Sequence, residues 1–224
     1  MKRTIYHGSK DIIEKPVYGY GNIHNDYGLG FYCTESPELA KEWAVDFDRN
    51  GYSNQYEIEL DGLSVLNLGD RKYNVLHWLT ILLKNRTFSV NNPLALEAKQ
   101  YLIENFSIDY QSYDVIIGYR ADDSYFSFAS DFINGSISYQ QLVKAMYLGN
   151  LGEQFVLISK KAFERIKFVQ ADLAEQETYY PKKKGRDEEA RRTYFDSRKM
   201  RRNKDDLFIT QIIDEGIKED DKRL

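Results

Sequence analysis

The sequence predicts an α+β fold built around one substantial core. Strands and helices succeed one another without a regular βαβ rhythm. Short apolar runs bounded by turn residues stand beside stretches of helical periodicity. A hydrophobic share of 42%, with 18 Tyr and 12 Phe, supplies enough apolar surface to offset the chain entropy lost on folding. At 224 residues the chain has room for one domain of about 150–180 residues and an attached element. The expected division is 1–175 and 176–224.

Residues 2–6 read as a short opening strand that ends at His7-Gly8-Ser9, where glycine permits a turn and a close backbone approach. Pro16 and four glycines make 16–30 irregular before a short strand at 31–33. Ser36 caps the next helix, Pro37 suits its first position, and Leu39, Ala40, Trp43 and Ala44 recur at helical spacing. Strands are expected at 55–60 and 65–68, and helices at 73–84 and 93–105 as an insertion. A buried strand at 113–118 stops at Tyr119-Arg120-Ala121-Asp122-Asp123, and helices follow at 124–133 and 138–147. A strand at 154–158, a short helix at 160–166 and a last strand at 167–170 complete the core. Beyond residue 175 charge blocks alternate, with a helix expected at 186–201. The apolar run 207–213 then needs a partner surface.

Bulk properties narrow the function classes. A net charge of −4 argues against general polyanion binding, and the basic runs 182–184 and 198–202 read as solvated helix faces, with a contact surface for RNA, DNA or a partner protein as the alternative. Cys33 is the only cysteine, so no intramolecular disulfide can form and a reducing compartment fits. No apolar stretch suits a signal peptide or a membrane span, which makes the cytoplasm the expected location. His7, His24 and His77 lack zinc-site spacing, so no metal is expected. Gly28-x-Gly30 has no third glycine opening a helix and is not a dinucleotide fingerprint.

Three separated signals remain. Tyr6-His7-Gly8-Ser9 ends the first strand, and Tyr27-Gly28-Leu29-Gly30-Phe31-Tyr32-Cys33 leads into a helix carrying Ala40 and Trp43. Glu153-Gln154 then opens a late strand. This order resembles the ADP-ribosyltransferase superfamily, in the diphtheria-toxin and poly-ADP-ribose-polymerase branch whose triad is His, Tyr, then Glu, Asp or Gln. In that branch a second aromatic follows the Tyr by eleven positions and faces the nicotinamide; Tyr32 and Trp43 have that separation. The sequence is similar in finer detail to a bacterial subfamily with an opening His-Gly-Ser and an Asp-aromatic-Gly-x-Gly-Phe-Tyr strand. That subfamily also has an Asp-x-Ile-Ile-Gly strand, here Asp114 to Gly118, and a late strand headed by Gln, here Gln154. Its members look like toxin halves of toxin–antitoxin pairs or phage-defence effectors.

The resemblance covers about residues 3–172. It implies an ADP-ribosyltransferase-like split β-sheet core with helical insertions, an NAD-binding domain over 1–175 and a charged helical extension over 176–224. It implies NAD as donor, a protein or nucleic-acid acceptor, and an antitoxin as a further partner, with no metal and no membrane. Cleaving the nicotinamide–ribose bond creates oxocarbenium character, so the site must fix the ring and stabilise positive charge on the sugar. By resemblance His7 holds the adenosine ribose, the Gly8 backbone grips the nicotinamide amide, and Ser9 supports one of them. Tyr32 and Trp43 border the ring, with Ala40 on the same helix. Gln154 binds the 2′-OH of the nicotinamide ribose. A Glu there would bring a full charge where Gln brings a dipole. Glu153 is the alternative third residue, although strand alternation turns it away if Gln154 points inward. Arg120, Asp122 and Asp123 follow a strand end and are candidates to contact NAD phosphate or orient an acceptor.

Taken singly, these residues have plainer readings: His7 as a surface or core histidine, Tyr32 and Trp43 as core aromatics. Two rival functions stand beside the transferase. One is an NAD glycohydrolase or weakened NAD-binding module, suggested by Gln154; the other is a non-enzymatic interaction protein whose amphipathic tail docks a partner.

Overall fold

In the computed structural model, which describes every residue except 89–91, 121–122, 149–151 and 199–203, the strands form two sheets within an α+β fold. The first sheet is antiparallel, in the order β1 (Lys2–Ser9), β3 (Gly51–Glu59), β7 (Ile166–Ala174). The second runs β2 (Phe31–Cys33), β6 (Glu153–Leu157), β5 (Val115–Tyr119), β4 (Val65–Asn67), and β4 is parallel to β5.

Side chains of β5 and β6 alternate between two cores, which is why both segments read as unbroken apolar runs. Val115, Phe155 and Leu157 pack with Ile5, Phe31, Cys33, Tyr56 and Ile58 in one cluster. Ile116 and Val156 join a larger helical core with Leu66. That core is filled by α2 (Val75–Asn85), α3 (Pro93–Asn105), α4 (Asp123–Ile133) and α5 (Tyr139–Ala145). Residues 75–83 of α2 are all buried, as expected of a helix apolar on every side.

The two sheets touch where Tyr6 and Thr34 exchange backbone hydrogen bonds of 2.7 and 2.9 Å. This junction stands just before His7 and just after Cys33. Helix α1 (Pro37–Ala44) starts as its sequence specifies, with Ser36 Oγ accepting from Leu39 N at 3.2 Å and Pro37 at the first position. It lies across β1 and β3 at Gly8 and Gly51, where an added Cβ would overlap the carbonyl oxygens of Ala40 and Ala44.

Strands β3 and β7 are longer than local patterning indicates, because they pair with each other from Gly51↔Ala174 to Ile58↔Ile166. After α6 (Lys160–Glu164) and β7, helix α7 (Gln176–Arg198) begins ten residues before the expected 186 and passes through Pro181. The residues that follow Arg198 in the expected helix lie outside those described. Proline removes a helical hydrogen bond at a cost of about 3 kcal/mol, and tertiary contacts offset it here. Tyr179 and Tyr180 pack on Ala44, Val45 and Ala174, and Lys183 Nζ donates to Val45 O at 3.0 Å, just past the end of α1.

The apolar run 207–213 finds its partner surface within the chain. Helix α8 (Ile209–Asp214) buries Ile209 and Ile212, and Leu207 and Ile217 join them in the helical core. Tyr101 and Tyr139 hydroxyls donate to the carbonyls of Ile217 and Leu224, at 2.9 and 2.7 Å. Among the described residues no helix is long and apolar enough to cross a membrane.

Candidate active site

Beside the junction of the two sheets opens a cleft of about 390 Å³. Its wall includes His7 and Gly8 from β1, Tyr32 from β2, Trp43 from α1, Gln154 from β6 and Arg120 just after β5. The structure therefore gathers six of the expected site residues around one space. Ile13, Pro16, Val17 and Tyr20 from the irregular segment 10–30 add an apolar stretch of rim.

Each side chain has a physical reason for its pose. His7 Nδ1 lies 2.6 Å from the carbonyl oxygen of Tyr32. A carbonyl only accepts, so Nδ1 carries the proton and neutral His7 presents Nε2 as an acceptor. Its ring stacks on Phe31 with centroids 4.3 Å apart. Burial pushes the imidazole below its ordinary value of 6.5, and the Tyr32 hydrogen bond opposes that only in part.

A lowered folded-state value means that the folded protein favours neutral His7. The associated stability is complete above 6.5 and drains away as pH falls from there toward the folded value. Urea midpoints measured from about pH 8 to about pH 5 should therefore fall more steeply for wild type than for His7→Gln. Equal slopes would contradict the half-buried, neutral imidazole.

The Tyr32 hydroxyl donates to Gly28 O at 2.6 Å and accepts from Tyr27 N at 3.1 Å. Burial raises its pKa far above the usual phenol value. The hydroxyl is committed to the turn at Gly28, whose φ of 76° suits glycine, and the ring is what remains for a ligand. The Tyr27 hydroxyl and Trp78 Nε1 both donate to Tyr119 O, at 2.7 and 3.1 Å. They fix the end of β5 from which Arg120 extends, and its guanidinium lies 3.9 Å from the centroid of the Trp43 ring. A ring face that attracts a guanidinium is suited to a flat cation.

Gln154 is 6% exposed, and its Oε1 has no hydrogen-bond partner among the described residues. An unsatisfied buried amide oxygen costs about 1–3 kcal/mol unless a ligand or water meets it. The choice between Gln154 and Glu153 follows the pleat: Gln154 lines the cleft, whereas Glu153 is exposed and stands off its wall. Two other expected contacts also stand off it. Ala40 is fully buried where α1 meets Gly8, so it packs the helix on the strand. Ser9 Oγ donates to Asp11 O at 2.7 Å and accepts from Asn54 Nδ2 at 2.9 Å, holding the turn after β1. Ala121, Asp122 and the side chain of Asp123 lie outside the described residues.

Three contributors escape sequence reasoning. Buried Asn54 also donates to His7 O and accepts from Ile13 N, at 3.2 and 2.9 Å, which ties the rim to β1. Asp26, 5% exposed, and Arg86 meet at 3.2 Å on the cleft wall, and Arg86 lies 5.1 Å from the Phe126 centroid. Asp26 sits in the Asp-aromatic-Gly segment, which was the one available signal; Arg86 lies sixty residues away with no local pattern. Among the described residues no group of three His, Cys, Asp or Glu is placed to hold a metal ion.

Comparison with known proteins gives one family, described as "Protein of unknown function (DUF3990)", matching residues 3–168. No curated protein and no solved structure matches the chain.

Proposed function

The chain belongs to the DUF3990 family, and from that premise and the chemistry of the cleft we propose that it is an NAD-dependent ADP-ribosyltransferase. The observation that carries the proposal is the convergence of His7, Tyr32, Trp43 and Gln154, whose Oε1 finds no partner among the described residues, on one cleft. The ordered motifs that resemble the superfamily are thus brought together in space by strands distant in sequence. Two sheets meeting beside that cleft are consistent with an ADP-ribosyltransferase-like split core.

In this reading Nε2 of His7 accepts a ribose hydroxyl, and the Gly8 backbone meets the nicotinamide amide. Tyr32 and Trp43 border the ring. NAD carries a cationic nicotinamide and releases a neutral one, so the Trp43 face favours the bound donor over the departing product. Arg120 then leaves that face for the donor's pyrophosphate. Gln154 orients the 2′-OH as the glycosidic bond lengthens. The acceptor is a protein or nucleic acid, and a toxin held by an antitoxin is the biological setting the resemblance supports.

Calorimetric titration with NAD tests the proposal. Wild type should bind saturably, and Tyr32→Ala and Trp43→Ala should each lose about 0.5–1.5 kcal/mol beyond the lost contact area. Absence of binding at millimolar NAD would discard the transferase and favour a non-enzymatic interaction protein. The neutral Gln154 also favours a second reading as an NAD glycohydrolase. Nicotinamide release without labelling of any acceptor would select it.

A further inference from the structure

Departure of nicotinamide leaves positive charge on the ribosyl carbon, and Gln154 meets it with a dipole alone. Among the described residues that line the cleft, one is an acid: Asp26. Its surroundings hold it in place. Arg86, from the residue after α2, approaches its Oδ1 to 3.2 Å. Asn85 Nδ2 donates to its backbone carbonyl at 3.3 Å. The next residue, Tyr27, is fixed at both ends by Tyr32 Oη and Tyr119 O. The carboxylate is thus buried, ion-paired and carried on a backbone that cannot drift. A buried ion pair is weak support for stability compared with apolar packing, whereas a preorganised charge in a site where a cation develops is strong support for catalysis.

Resting on the transferase reading above, we propose that Asp26 is the catalytic anion of the cleft, supplying beside the ribosyl cation the negative charge that Gln154 lacks. The bond from C1′ to the nicotinamide nitrogen breaks, and both electrons go to that nitrogen, which becomes neutral. A lone pair of the acceptor forms the new bond to C1′, and the acceptor's proton leaves to solvent. Asp26 is unchanged throughout, acting through its charge. Arg86 pairs with the carboxylate and, like Arg120, brings a guanidinium to the wall on which the donor's pyrophosphate lies.

The test compares nicotinamide release, NAD affinity and thermal melting for wild type, Asp26→Asn, Asp26→Asn with Gln154→Glu, and Asp26→Asn with Arg86→Gln. Asp26→Asn should bind NAD within about threefold of wild type while kcat falls about 10²-fold. Adding Gln154→Glu should restore at least about a tenth of the lost kcat, because it returns an anion to the same cleft. If Asp26→Asn alone does not fold, the pair with Arg86→Gln removes both charges together and should fold while staying about 10²-fold slow. Wild-type kcat in Asp26→Asn, alone or with Arg86→Gln, would overturn the assignment, as would the absence of any rescue by Gln154→Glu in a folded protein that binds NAD. Failure of wild type to bind or consume NAD would instead overturn the transferase reading, which separates the two.

Discussion

Gly8→Ala should be among the most damaging single substitutions in this chain, lowering stability by about 3 kcal/mol and abolishing ligand binding together. The added Cβ would overlap Ala40 O and lie 2.9 Å from Ala44 N, and both are backbone atoms of α1. Backbone has no rotamer with which to step aside. Helix and strand must therefore separate, and α1 carries Trp43 on the cleft wall. Overpacking of this kind costs about 1–3 kcal/mol, and a clash with main chain belongs at the upper end. Gly51→Ala meets the far end of the same helix at Ala44 and should destabilise comparably without touching His7. Urea midpoints for both variants check the expectation. A Gly8→Ala protein within about 1 kcal/mol of wild type would mean that α1 is not seated flush on β1.

Arg186→Met should cost about 3 kcal/mol, although Arg186 lies outside the residues that match the family. Glu42, on α1 beside Trp43, has a side chain 4% exposed and is met by Arg186 through two hydrogen bonds of 2.9 Å, from Nε and Nη2. Removing the guanidinium strands a buried carboxylate. The lower end of the usual range applies because Arg186 itself is 28% exposed. Restoring neutrality with Glu42→Met in the same chain should recover most of the loss. A single variant as stable as wild type would make the extension dispensable to α1. The expected result makes α7 the outer support of the helix that positions Trp43.

How far the sequence foretells this molecule depends on how local the determining forces are. Ser36 and Pro37 announce α1 because capping acts within one turn. Apolar runs in β5 and β6 announce burial on both faces, and the pleat alone places Gln154 rather than Glu153 in the cleft. What escapes prediction is settled across long separations. Pro181 argues for a helix starting later, and contacts with α1, among them the packing of Tyr179 and Tyr180 against Ala44 and Val45, outweigh it. The extra length of β3 and β7 is set by their mutual pairing. Asp26 and Arg86 make unremarkable neighbours in their own segments; their meeting is a product of where α2 ends. Asn54 is a polar residue in a strand until its partners around His7 are seen.

Cys33 lies fully buried on β2 between the two sheets, and burial drives its thiol pKa far up. Alkylating reagents need an exposed thiolate, so the native chain should be silent to them and should react only when β2 leaves β6. A single natural thiol thereby becomes a clock for the opening of the region that holds His7 and Tyr32, read by mass spectrometry without a label. Slower alkylation in the presence of a compound would report that it binds the closed form in preference to the opened one, whatever its chemistry, and new ligands could be sought on that signal alone.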